Sequence, residues 1–166
     1  MNRKMLWGVI ALIVVAGVVV SLNATRSEEQ ADIHGILMSL DVVSGERPTA
    51  SDLQGRHTLV VIWTSWCPTC IQELHYIEDH YATIAEKVNL VAVNMTSVEQ
   101  NIEDVHVAAE AIDPSYPVLA DQEGKAGEVF RSRYVPANFL LDSDGRIVEK
   151  REGAITLDQL DEWLDP

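Results

Sequence analysis

Two cysteines three positions apart, in the string Trp66-Cys67-Pro68-Thr69-Cys70, are the residues of this chain best suited to chemistry. The residues before them, Thr58–Trp63 (TLVVIW), form a continuous β-branched run that reads as a strand buried on both faces. The residues after them read as a helix. A thiol at a helix N-terminus faces unpaired backbone N–H groups and the positive end of the helix dipole, which favour thiolate over thiol. Such a thiolate can attack a disulfide and form a mixed disulfide, which a second thiol one turn deeper can resolve. Cys67 is therefore the expected nucleophile and Cys70 the expected resolving thiol.

Two other uses of a cysteine pair compete. Zinc needs about four ligands, yet the chain has no second Cys-x-x-Cys, and His75, His80 and His106 show no paired spacing. A purely structural disulfide closing so small a loop would stabilise little. Thiol-disulfide exchange is the expected chemistry, with no metal and no cofactor.

The surrounding pattern must position the pair. Ile36–Val43 suggests a strand, followed by a turn and the Ser51–Gly55 corner. After the cysteines, Ile71, Leu74, Ile77, Tyr81, Ile84, Ala85 and Val88 recur at three- and four-residue spacing, predicting one amphipathic helix. Glu73, His75, Glu78 and Asp79 lie largely off its apolar stripe. Leu90–Val93 is the next strand. Thr96-x-x-Glu99 resembles a capping box opening a helix with Val98, Ile102, Val105 and Ala109 inward. A short strand at 117–120, a helix at 125–133, a hairpin turning at Ser143-Asp144-Gly145 and a helix capped by Thr156-x-x-Gln159 complete the order. This order, β-β-α-β-α-β-α-β-β-α, predicts an α/β sandwich with a mixed central β-sheet flanked by helices.

The N-terminus is different in kind. Residues 5–22 carry no charge, follow Arg3 and Lys4, and precede Glu28, Glu29 and Asp32. Eighteen apolar residues suffice to span a hydrocarbon core of about 30 Å, and the basic flank places the C-terminal side outside the cytoplasm. Residues 1–22 are expected to be an uncleaved signal-anchor, 23–33 a linker and 34–166 one domain; a cleaved signal peptide is the competing reading. Without Arg3 and Lys4 the rest carries 10 basic against 26 acidic residues, a net charge of −16. Such a surface repels nucleic acid and anionic lipid, which argues against both as ligands.

Several segments, in order, resemble the thioredoxin-like, membrane-anchored thiol-disulfide oxidoreductases of the ResA/TlpA type, found in bacterial cytochrome c maturation and sporulation. Ser51-Asp52-Leu53-Gln54-Gly55 is similar to that family's S-x-L-x-G corner, and residues 60–70 to its strand and redox motif. Tyr116–Leu119 with Asp121 resembles F-P-x-x-x-D, and residues 135–145 resemble V-P-T-x-F-L-I-D-x-x-G. The resemblance spans about residues 36–164. It implies a thioredoxin-like fold, a single-pass membrane protein with its catalytic domain outside, and action as a monomer. It implies disulfide-containing exported proteins, such as apocytochrome c, as substrates and a membrane thiol carrier of the CcdA/DsbD type as electron donor.

The resemblance also assigns residues. Pro136 takes the place of the cis-proline that packs beside the disulfide; an ordinary loop proline is the alternative. Thioredoxin's buried acid, six residues before the first cysteine, is Val61 here. ResA-like members carry a glutamate three residues after the second cysteine, and Glu73 stands there. A partly buried Glu73 would have a raised pKa and trade protons with Cys70; a solvated helix glutamate is the alternative. His75 replaces a helix-kinking proline, and Ala137 replaces the threonine after the cis-proline. An oxidant of the same fold stays open. A peroxiredoxin would want proline at Val60, and a copper-delivery module a C-x-x-x-C spacing.

Overall fold

The computed structural model describes residues 32–165. The expected anchor, and the linker up to residue 31, lie outside the described residues. Among those described, no helix is long and apolar enough to cross a membrane.

The fold opens with a helix where a strand was expected. Asp32 Oδ1 accepts the Gly35 N–H at 2.9 Å and starts α1, Ile33–Ser39, whose Ile33 and Leu37 are buried. Only Asp41–Ser44 of the apolar run is a strand, β1. An i, i+4 apolar pair supports a helix as readily as a short run supports a strand, and here the cap decides. Residues 32 and 33, expected as linker, therefore belong to the domain. The corner is a one-turn helix, α2 (Ala50–Leu53), closed by a Thr49/Asp52 capping box.

The chain then follows β2 (Thr58–Trp63), α3 (Pro68–Asp79), α4 (Tyr81–Lys87), β3 (Asn89–Asn94), α5 (Ile102–Ile112), β4 (Val118–Ala120), α6 (Lys125–Phe130), β5 (Ala137–Leu141), β6 (Ile147–Glu152) and α7 (Leu157–Leu164). The six strands form one sheet in the order β1-β4-β3-β2-β5-β6. β2/β3 and β3/β4 are parallel; the other three pairings are antiparallel. This is the mixed, thioredoxin-like sheet expected.

All six residues of β2 are buried, and their alternation builds two cores. Leu59, Val61 and Trp63 face Cys70, Leu74, Ile77, Ile84, Val105 and Leu160, from α3, α4, α5 and α7. Val60 and Ile62 face Ile33, Leu37, Leu53, Ala126 and Phe130, from α1, α2 and α6. Gly145 turns the β5–β6 hairpin at φ 79°, and a Cβ there would stand 3.1 Å from the His34 ring. A larger residue would carry backbone strain there and would need the His34 ring to move by a few tenths of an ångström.

Two helix expectations need correction. The stripe from Ile71 to Val88 is two helices, broken at His80. His80 Nδ1 donates to the Tyr76 carbonyl at 2.7 Å, the acceptor a continuous helix would reserve for the His80 backbone N–H. That N–H turns instead to Ile77 O, at 3.2 Å. The helix is continuous through His75, which is exposed. Thr96 does not open α5, which is capped by Asn101; Thr96–Val98 is a 3₁₀ turn, and Val98 and Ile102 are exposed. Glu99 is engaged elsewhere.

Candidate active site

Cys67 is the N-cap of α3, and Pro68 sits at its start, where a missing N–H costs nothing. The Cys70 N–H donates to Cys67 Sγ at 3.2 Å, so the sulfur takes one of the orphan donors of the helix terminus. The two cysteines form a disulfide with Cα atoms 5.2 Å apart. Cys67 is 7% exposed and Cys70 0%. Attack from outside can reach only the first sulfur.

The loop leading to Cys67 is held by a residue given another role from the sequence. Glu99 Oε1 accepts the Ser65 N–H at 2.6 Å and Asn94 Nδ2 at 2.8 Å, while Oε2 accepts the Ser65 hydroxyl at 2.7 Å. Thr96 Oγ1 donates to Asn94 Oδ1 at 2.9 Å, and so serves this cluster rather than a helix cap. Glu99→Ala would leave the fully buried Asn94 amide and the Ser65 N–H without acceptors. We expect a loss of about 3 kcal/mol in urea unfolding. An unchanged midpoint would show that this carboxylate does not hold the loop.

Facing the disulfide is the Val135–Pro136 segment, joined by a cis peptide bond, as the resemblance implied. Pro136 is buried, and its carbonyl accepts the Gly153 N–H at 2.8 Å. The Val135 carbonyl oxygen lies 3.7 Å from Cys67 Sγ. A disulfide sulfur has no proton to donate there, so this is a contact that a thiol could convert to a hydrogen bond on reduction. Trp66, beside Cys67, and Tyr134, beside Val135, are both exposed large aromatics (58% and 68%).

Glu73 lies on α3 three residues beyond Cys70 and is 3% exposed, so it is buried despite its place off the apolar stripe. Oε1 accepts Asn138 Nδ2 and the Ile155 N–H, each at 2.7 Å. Oε2 is buried without a partner. Burial pushes the carboxyl up to about 7, against the lowering effect of the two hydrogen bonds. The structure thus brings Cys67, Cys70 and Pro136 together at one end of β2, with Glu73 one turn further along α3. Val61, at thioredoxin's acid position, is core. Among the described residues, no group of three or more His, Cys, Asp or Glu side chains is placed to hold a metal ion.

Sheet order, dithiol and cis-proline segment together define a thioredoxin-like thiol-disulfide oxidoreductase. Residues 39–164 match the Redoxin family, and the chain belongs to it. Its relatives narrow the class. The chain is 30% identical over 169 residues to thioredoxin-like protein YneN of Bacillus subtilis, with 99% of each chain covered. It is 27% identical over 173 residues to thiol-disulfide oxidoreductase ResA of Oceanobacillus iheyensis, covering 99% of this chain and 88% of the relative. The crystal structure of StoA from Bacillus subtilis superposes with a TM-score of 0.65 at 31% identity, covering 75% of this chain and 92% of that one.

Proposed function

We propose that this enzyme is a membrane-held, extracytoplasmic reductant of disulfides in exported proteins. Cys67, as thiolate, attacks one sulfur of a substrate disulfide; that bond breaks, and the departing substrate thiolate takes a proton. Cys70 then loses its proton to the Glu73 carboxylate and attacks Cys67 Sγ. The second substrate thiolate leaves, and two electrons have passed from the Cys67/Cys70 dithiol to the substrate. The segment at Pro136 borders the site where substrate backbone would lie. The observation that carries this reading is Glu73, a buried carboxyl with one free oxygen, a single helical turn beyond the buried sulfur of Cys70.

The uncharged run at 5–22 behind Arg3 and Lys4 supports anchoring with the domain outside. A membrane thiol carrier of the CcdA/DsbD type would then meet a monomeric domain held at high effective concentration. Apocytochrome c is the substrate class that the resemblance to ResA supports. The direction of electron flow is tested by the reduction potential of the Cys67/Cys70 couple. A value near that of thioredoxin, about −270 mV, is expected; one near about −120 mV would make the enzyme an oxidant. Protease treatment of spheroplasts tests the placement. The domain should be digested from outside and the N-terminal fragment should stay with the membrane; full-length protein in the cytosol would overturn anchor and donor together.

A further inference from the structure

Asn138 lies on β5 two residues beyond Pro136, and the reaction above makes no use of it. Its side chain is fully buried. Nδ2 donates to Glu73 Oε1 at 2.7 Å and to the Gly153 carbonyl at 3.0 Å. A backbone carbonyl only accepts, and Glu73 Oε1 already accepts from Ile155, so the amide nitrogen and not its oxygen must face both. Both hydrogens of the amide are thereby used.

The consequence is a carboxyl with two unlike oxygens. A proton on Oε1 would have to displace one of two N–H donors, each 2.7 Å away. A proton on Oε2 displaces nothing, because that oxygen has no partner. We propose that Asn138 is a positioning residue for the redox reaction: by occupying Oε1 it assigns Oε2 as the oxygen that takes the proton from Cys70 and returns it. This rests on the role proposed above for Glu73. Proton transfer through one defined atom keeps the carboxyl in a single orientation through the cycle, where an unfastened glutamate would have to be reoriented at each turnover.

The groups facing Glu73 can be named element by element. Cys70 shares its helix, β5 brings Asn138, and the segment before α7 brings the Ile155 N–H. The segment before β4 brings Tyr116, whose hydroxyl donates to Leu74 O at 3.1 Å. Burial first, then the charges of Glu78 and Glu73, hold that hydroxyl above its ordinary range, so it stays neutral while Glu73 titrates.

The test is the pH dependence of mixed-disulfide resolution in the full chain, together with an infrared titration of the Glu73 carboxyl band, assigned as the band that Glu73→Gln lacks. Asn138→Ala removes a donor to the charged form, so both midpoints should rise by about one pH unit. Below the midpoint, resolution should slow about tenfold, while above it the rates converge. Asn138→Asp keeps the shape, exchanges the donor for an acceptor and should raise the midpoint further; it carries the test should the alanine variant fail to fold. In the Glu73→Gln background, Asn138→Ala should shift nothing. Loss of stability without a moved midpoint, in a protein where Glu73→Gln abolishes the pH dependence, would reduce Asn138 to a structural residue. A Glu73→Gln profile superimposable on wild type would instead sink the role of Glu73, and that of Asn138 with it.

Discussion

Replacing Cys67 with Ser abolishes disulfide reduction, with a fall of roughly a thousandfold or more, because the attacking sulfur is the one group the reaction cannot substitute. Cys70→Ala behaves differently. Attack by Cys67 still proceeds, but the mixed disulfide has no partner to resolve it, and the enzyme accumulates bound to its substrate. The asymmetry follows from position: Cys67 caps α3 and is the more exposed sulfur, whereas Cys70 is completely buried. In reduced wild-type protein, alkylation should therefore modify Cys67 first. Equal labelling of the two at neutral pH, or substantial turnover by Cys67→Ser, would remove the basis for the assigned roles.

Glu73→Gln should flatten the pH dependence of both stability and thiol reactivity. The folded carboxyl titrates at about 7 against an ordinary 4.5, chiefly because it is buried. Between those values the folded protein holds a proton that the unfolded chain releases, so rising pH favours unfolding. The contribution of this group to stability is full below about 4.5 and is lost as the pH climbs through about 7. A gap of about 2.5 pH units is worth about 3 kcal/mol, and at 3% exposure solvent screening removes little of it. Urea unfolding of oxidised wild type and mutant below pH 4.5 and above pH 7 isolates this group, since all others are shared. The wild type should lose about 3 kcal/mol more than the mutant across that range. Parallel curves would mean that the carboxyl is solvated.

What the sequence made legible was local. Strand, dithiol and helix are contiguous from Thr58 to Asp79, so the nucleophile and its helix N-terminus could be read from one stretch. The placement of Pro136 and Glu73 came from motif resemblance. The amphipathic stripe by itself put Glu73 toward solvent, because β5 and the segment before α7 bury it from outside the helix. Glu99 was misread because T-x-x-E satisfies a capping pattern, while its actual partner Ser65 is 34 residues away. Asn138 carried no signal: its partner Glu73 is 65 residues distant, and an asparagine in a strand announces no hydrogen bond. The break at His80 escaped for a related reason. It depends on a ring nitrogen taking a backbone acceptor, which leaves the apolar spacing on either side unchanged.

The segment between β6 and α7 gives the end of the chain a significance beyond stability. Its backbone supplies the Ile155 N–H to Glu73, the Gly153 carbonyl to Asn138 and the Gly153 N–H to Pro136, so three site residues are fastened to one short connector. A hybrid that borrowed its final hairpin and helix from a relative would import a new proton affinity along with them, even with every cysteine and its neighbours retained. On the roles proposed for Glu73 and Asn138, the redox character of this chain depends on two distant stretches meeting, and the later one offers a place to retune the enzyme without touching the dithiol.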